Sequence, residues 1–194
     1  MTLTFKQFFE SKATKTVALV PGSFKPMHKG HWAMIEEYAD KADEVIVIIS
    51  DPKKSVRKTK SGKVISPEVV KQIADIYTKA SGRSNIKTVI SNVPSPVSAA
   101  SDYAEKNLSG QNVIFGSSKK GDDWKRWNFA IKYFAEKDPT INVLDPKENA
   151  VDAKFDDMSA TDMRNSLEDL ESLKKFLPDF LSDKDVETIH ELLK

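Results

Sequence analysis

The 194-residue chain contains no cysteine. That excludes disulfides, thiolate nucleophiles and cysteine-ligated zinc, and it fits a reducing compartment. Long apolar runs are also missing: no stretch approaches the ~18 residues needed to cross a membrane, and residues 1–10 hold no basic region followed by an apolar core. A soluble, unprocessed, cytoplasmic protein is expected. Nor does charge of one sign dominate, since 30 lysines and arginines face 29 acids for a net charge of +1. Bulk attraction to nucleic acid or an anionic membrane is therefore not expected, and any anion site must be local. There is no repeat and no low-complexity tract. What remains is 39% hydrophobic and 30% charged, enough to bury one sizeable core, which argues against a disordered or fibrous protein.

Short β-branched runs at 16–20, 44–50, 86–90, 112–115 and 140–144 read as strands, each bounded by turn or charged residues. Between them, helical patterns cover 28–41, 67–80, 97–108 and 123–136, the second opening with Ser66 as N-cap and Pro67 at the first helical position. Strand and helix in alternation predict an α/β fold: a doubly wound, Rossmann-like, five-stranded parallel sheet over 16–158. Such sheets bind ligands beyond the carboxyl ends of their strands, so the loops after the first and fourth strands are the places to look. After an irregular stretch at 146–158, helices at 160–174 and 183–193 predict a C-terminal helical cap over 159–194. Residues 1–15 place Leu3, Phe5, Phe8 and Phe9 on or near one helical face, and this segment is expected to dock on the body in preference to a partner.

The unusual residues stand where the fold predicts a ligand. The first strand runs into Pro21-Gly22-Ser23-Phe24 and a helix begins near His28, which puts free backbone N–H groups and a positive helix end at the sheet's ligand edge. His28 and His31, three apart, project to roughly one side of the first helical turn, where both imidazoles can donate to phosphate oxygens. As a zinc site the pair would need a third ligand, and the remaining histidine, His190, lies in a terminal helix. A purely capping role for the pair is the plainer alternative. Later, Ser159-Ala160-Thr161-Asp162-Met163-Arg164 offers hydroxyls and orphan N–H groups at a helix start with an arginine one turn on, although its first four residues also fit an ordinary capping box.

Gly22-Ser23-Phe24-Lys25-Pro26-Met27-His28-Lys29-Gly30-His31 resembles the first signature of the HxGH nucleotidyltransferase superfamily, and Ser159 to Arg164 resembles its second, Ser-x-Thr-x-x-Arg. That superfamily includes nicotinamide mononucleotide and phosphopantetheine adenylyltransferases and the cytidylyltransferases. The resemblance implies that His28 and His31 contact the triphosphate and stabilise charge as pyrophosphate leaves, with Arg164 in support. It places Gly22, Ser23, Phe24 and Lys25 along the nucleotide phosphates and Ser159 and Thr161 on the β- and γ-phosphates. Gly30 then keeps the helix start free of side-chain bulk. Two positions depart from the pattern, Lys25 where many relatives have aspartate or asparagine, and Met158 where they have isoleucine; neither removes a phosphate ligand.

Two basic loops complete the expected site. The stretch from Lys53 to Lys63 carries no acid, and Lys53, Lys54 and Arg57 suit a mobile clamp as well as a solvated loop. Gly116, Lys119 and Lys120 follow the fourth strand, matching a family loop that helps hold the nucleotide. Spacing of Gly116 and Gly121 mimics a P-loop, but Asp122 and Asp123 stand where lysine and a hydroxyl residue are needed, so a Walker A site is rejected. Trp124, Trp127 and Trp32 read as packing residues. The expected activity joins a nucleoside monophosphate from ATP or CTP to a phosphorylated small molecule, with Mg²⁺ held mainly by the triphosphate and no metal ligands from side chains. Nicotinamide mononucleotide is the first expected acceptor. The alternatives are a cytidylyltransferase acting on a phosphorylated sugar, polyol or amino alcohol, and a non-catalytic nucleotide-binding or assembly protein that kept the fold. The sequence leaves a homo-oligomer open.

Overall fold

Residues 14–51, 56–155 and 157–194 are described in the computed structural model. The N-terminal segment expected to be helical, and the loop residues Lys53 and Lys54, lie outside the described residues. Five strands, β1 (Thr16–Gly22), β2 (Glu44–Ser50), β3 (Ile86–Ser91), β4 (Asn112–Phe115) and β5 (Asn142–Val143), form one sheet in the order β3-β2-β1-β4-β5. Every pairing is parallel. The central strands Val17–Val20 and Val45–Ile49 are buried throughout, which is why they read as continuous apolar runs rather than alternating ones: a parallel sheet is covered on both faces.

Alternate residues of each strand enter different cores. On one face Ala18, Val20, Val45, Val47 and Ile49 pack under α1 (Lys29–Lys41) and α2 (Pro67–Ser81). On the other, Val17, Leu19, Ile46 and Ile48 meet alanines of α3 (Pro96–Asn107), and Phe115 stacks on Trp127 and Phe134 ahead of and within α4 (Asn128–Lys137). Small residues Ala99, Ala100 and Ala104 let α3 approach the sheet closely. The C-terminal helices α5 (Ala160–Asn165), α6 (Leu170–Lys174) and α7 (Asp183–Leu193) share the α1/α2 core through Met163, Leu167, Leu173, Val186 and Ile189. Burying side chains of this size is worth roughly 1.5–3 kcal/mol each, so the cap helices are held by the same hydrophobic interior as the sheet.

Three elements differ from the sequence expectation. The helix expected at 123–136 is a 3-10 segment, Lys120–Trp127, kinked near its start where Gly121 and Asp122 take φ of 58°, followed by α4. The helix expected at 160–174 is broken into α5 and α6. Ser166 turns back to bond the Asp162 carbonyl, and the Asp169 carboxylate accepts from the N–H groups of Glu171 and Ser172 to start a new helix. The last strand shrinks from five residues to two, since Asp138 accepts from both the N–H and the hydroxyl of Thr140 and holds a turn there. Among the described residues no helix is long and apolar enough to cross a membrane.

The chain order reverses between β1 and β4: β1 leads outward to β2 and β3, while β4 starts the other side. The crevice beyond the carboxyl ends of these two strands, where Gly22 and Gly116 sit, is the topological switch point at which such sheets take ligands.

Candidate active site

Two histidines replace the usual Ser and Glu of a helix-capping pair. His28 is the N-cap of α1, and its Nδ1 accepts from the Gly30 N–H at 3.1 Å; His31 Nδ1 accepts from the His28 N–H at 3.4 Å. The two rings stack with centroids 3.7 Å apart. Because both Nδ1 atoms accept, both imidazoles hold their proton on Nε2, the far side of each ring. Burial lowers the His28 pKa to about 4, and burial together with the neighbouring His28 lowers that of His31 to about 3. Each is thus a neutral Nε2–H donor at pH 7, ready to gain charge stabilisation when an anion arrives.

The turn before them is built around an inward-folding aromatic. Phe24, at φ 46° and 5% exposed, lays its ring over Gly22 and meets His31 edge-on at 5.2 Å. A Cβ at Gly22 would fall 2.6 Å from that ring, so glycine is required for the turn to close. Lys25 is also buried, and its ammonium donates to Asp51 Oδ1 at 2.9 Å, tying the turn to the end of β2. Gly30 leaves room for the imidazole, since a Cβ there would stand 3.0 Å from His28 Nδ1 and 3.4 Å from the Lys154 carbonyl.

Arg164 connects the two sequence motifs. One guanidinium nitrogen donates to the Lys25 carbonyl at 2.6 Å and the other to Thr161 Oγ1 at 2.8 Å. Partial burial and the nearby Arg57 charge both push the Arg164 pKa down. Among the described residues no carboxylate lies within ion-pair distance of either arginine. Two adjacent cations without a counter-ion repel unless an anion joins them. The Ser159 hydroxyl, by contrast, is already engaged: it accepts from the Asp162 N–H and donates to the Asp162 carboxylate.

A cavity of about 240 Å³ opens over the histidines, lined by His28, Gly30, His31 and Lys120 from the predicted set. Met34, Ser118, Ala153, Lys154, Phe155 and Met158 complete it. Of the wall residues Ala153, Lys154, Phe155 and Met158, only Met158 was singled out in the sequence, as a departure from the family pattern. The chain leading into this wall is tied at Asn149 by Tyr38, whose hydroxyl accepts from Ser117 N–H at 2.9 Å and donates toward the carbonyls of Ser117 and Asn149. Val151 exchanges backbone hydrogen bonds with Ser117 and Lys119. Phe155 stands 44% exposed at φ 59° with the Lys29 ammonium over its ring.

Gly22, Ser23, Phe24, Lys25, Arg57, Gly116, Lys119, Ser159, Thr161 and Arg164 do not line this cavity. Gly116 donates its N–H to the Leu19 carbonyl, where an added Cβ would also collide, and its own carbonyl accepts from Trp127 and Arg126. Lys119 pairs with Asp152 on the surface. Arg57 belongs to a short hairpin: its carbonyl accepts from Ile65 and Lys58 bridges Val64, while Ser61 and Lys63 reach backbone carbonyls at the end of the chain. Asp51 and Tyr38 were not read from the sequence, since neither spacing nor composition marks them.

Residues 19–68, the stretch with the first motif, match the family model described as Cytidylyltransferase-like. A phosphopantetheine adenylyltransferase of Mycoplasma capricolum subsp. capricolum is 28% identical over 131 residues, covering 66% of this chain and 81% of that protein. Among solved structures, a bifunctional nicotinamide mononucleotide adenylyltransferase/ADP-ribose pyrophosphatase from Francisella tularensis, complexed with AMP and a manganese ion, superposes with a TM-score of 0.56 at 16% identity. That match covers 92% of this chain but 48% of the other, so the chain spans about half the length of the Francisella protein. The Plasmodium falciparum nicotinic acid mononucleotide adenylyltransferase, complexed with NaAD, has a TM-score of 0.56 at 16% identity over 91% of this chain and 95% of its own. The solved structures share the fold of this chain, and in its two signatures and its similarity to the family model and the Mycoplasma protein the chain resembles the nucleotidyltransferase superfamily.

Proposed function

We propose that the chain transfers AMP from ATP to a phosphorylated small molecule and releases pyrophosphate. The observation that carries this reading is Arg164, which spans the two motifs beside Arg57, neither with a carboxylate in ion-pair distance among the described residues. An acceptor phosphate oxygen attacks the α-phosphorus, the bond from that phosphorus to the bridging oxygen of the β-phosphate breaks, and pyrophosphate leaves with the electron pair. The nucleophile is already an anion, so no strong base is required, and alignment with charge neutralisation does most of the work.

In this reading the Nε2–H groups of His28 and His31 donate to the α- and β-phosphate oxygens, and Arg164, Arg57 and Lys120 neutralise the departing pyrophosphate. Thr161 keeps the Arg164 fork in plane. Ser23 and the Gly22 backbone flank the phosphates, and Lys25 acts through its bond to Asp51 by fixing the turn. The described residues contain no cluster of three or more His, Asp or Glu able to hold a metal. A donor set of cations and N–H groups suits a triphosphate that carries its own Mg²⁺, which when bound would add charge neutralisation on the β- and γ-oxygens.

Nicotinamide mononucleotide is the proposed acceptor; the Mycoplasma relative favours phosphopantetheine as the second reading. Pyrophosphate release is to be measured with ATP or CTP, Mg²⁺, and nicotinamide mononucleotide, nicotinic acid mononucleotide or phosphopantetheine. Release with ATP and one acceptor is expected. No release with any pair, together with no triphosphate binding, overturns the proposal, and faster turnover with CTP moves it to cytidylyl transfer.

A further inference from the structure

Arg57 lies close enough to Arg164 for its charge to disfavour the second cation, so the segments carrying the two arginines need an attachment of their own. They are far apart in the chain. Arg57 stands at the base of a hairpin in which its carbonyl accepts from the Ile65 N–H, Lys58 bridges Val64, and the Thr59 N–H donates to the Lys63 carbonyl at 2.9 Å. Arg164 stands in α5, and Leu167 follows just beyond that helix.

Both segments are fastened to the last turn of α7. From the side of the second motif, His190, the histidine that the phosphate site does not use, donates from Nε2 to the Leu167 carbonyl at 2.7 Å. From the hairpin side, the Lys63 ammonium donates to the Glu191 carbonyl at 3.2 Å and the Ser61 hydroxyl to the Lys194 main-chain oxygen at 3.4 Å. Lys60 adds a loose pair with Glu168 at 3.9 Å. Glu191 follows His190 directly, so one helical turn sets the spacing between the hairpin and α5. Carbonyls in the last turn of a helix lack partners within it and carry the negative end of its dipole, which suits an ammonium donor. Ile189 and Leu193 root that turn in the α1/α2 core, and Ile65 roots the hairpin in the same core.

We infer that Lys63 is a positioning residue: by gripping the end of α7 it holds Arg57 at a distance from Arg164 that one polyphosphate can bridge. The inference rests on the proposed nucleotidyl transfer and deepens it, because it makes the placing of the second arginine depend on a residue that does not itself touch the substrate.

Binding of inorganic tripolyphosphate to the full chain, followed by titration calorimetry, tests this apart from turnover. Arg57→Ala should weaken binding about tenfold, the scale of one lost charge-assisted hydrogen bond. Lys63→Met, at an exposed position where the fold should survive, should weaken it about threefold, the scale of one cation at a helix end. Lys63→Arg keeps a donor for the Glu191 carbonyl and should restore wild-type binding. In the Arg57→Ala background Lys63→Met should do nothing further, because a residue that acts only through Arg57 has nothing left to hold. In pyrophosphate release, kcat/KM for ATP should fall by the same factor with the same dependence on Arg57. Equal weakening in both backgrounds makes Lys63 a direct charge on the anion and overturns the inference, as does binding that Lys63→Met leaves unchanged. Either result leaves nucleotidyl transfer standing where the wild type binds tripolyphosphate and releases pyrophosphate; a wild type that does neither removes both.

Discussion

Arg164→Ala removes the side chain that ties the second motif to the first. Two hydrogen bonds are lost, at 2.6 Å to the Lys25 carbonyl and at 2.8 Å to Thr161 Oγ1. Bonds from a charged donor contribute about 1.5–3 kcal/mol each at most. Arg164 is only partly buried and water can replace part of both, so a stability loss of about 2 kcal/mol is expected. For a domain of this size that is a fall in Tm of roughly 4–8 °C. The effect on turnover should be larger, because a preorganised donor facing developing charge is worth about 100- to 1000-fold in kcat. Arg164→Lys keeps the charge but cannot span both acceptors, so it should recover about tenfold of that loss. Pyrophosphate release against ATP concentration, alongside a thermal melt, separates the two effects. A folded Arg164→Ala protein whose kcat/KM stays within about threefold of the wild type would refute the claim that this arginine neutralises the leaving group.

Gly30→Ala places a methyl 3.0 Å from the His28 ring, so turnover should fall by about tenfold as that donor is displaced, with Tm nearly unchanged; an unaltered rate measured by pyrophosphate release counts against the assigned role of His28. The histidine pair sets an acid limit on stability. Their folded pKa values, about 4 and about 3, lie below the unfolded 6.5, so the unfolded chain binds more protons and stability, full above pH 6.5, is lost progressively as pH falls toward 4 and below. Urea unfolding from pH 7 to pH 4 should show a shallower decline in His31→Asn than in the wild type, and equal slopes would contradict the neutral, buried state of the pair. Tyr38→Phe leaves the Ser117 N–H without its partner and should cost about 1–3 kcal/mol, read in denaturant melts, while loosening the cavity wall enough to raise the KM for ATP.

Local patterns determined much of this protein. The continuous apolar runs of β1 and β2 could belong only to strands covered on both faces, and Ser66-Pro67 marked the start of α2, because caps and burial are nearest-neighbour effects. That His28, Gly30 and His31 gather on one cavity was legible for the same reason: they form one helical turn. Where competing local bonds decided the outcome, the reading failed, as when Asp169 restarted a helix.

Only the tertiary structure decided which residues act together. Arg164 lies 139 positions from the Lys25 carbonyl it binds, and Tyr38 lies 79 positions from Ser117. No periodicity records such contacts, because they arise when separate strands end at one sheet edge and the cap shares the core beneath it. The inward fold of Phe24, the engagement of Lys25 by Asp51 and the wall carrying Phe155 are of the same kind. Residue type along the chain determined what chemistry was possible; the meeting of β1, β4 and the cap at the switch point determined which side chains can perform it.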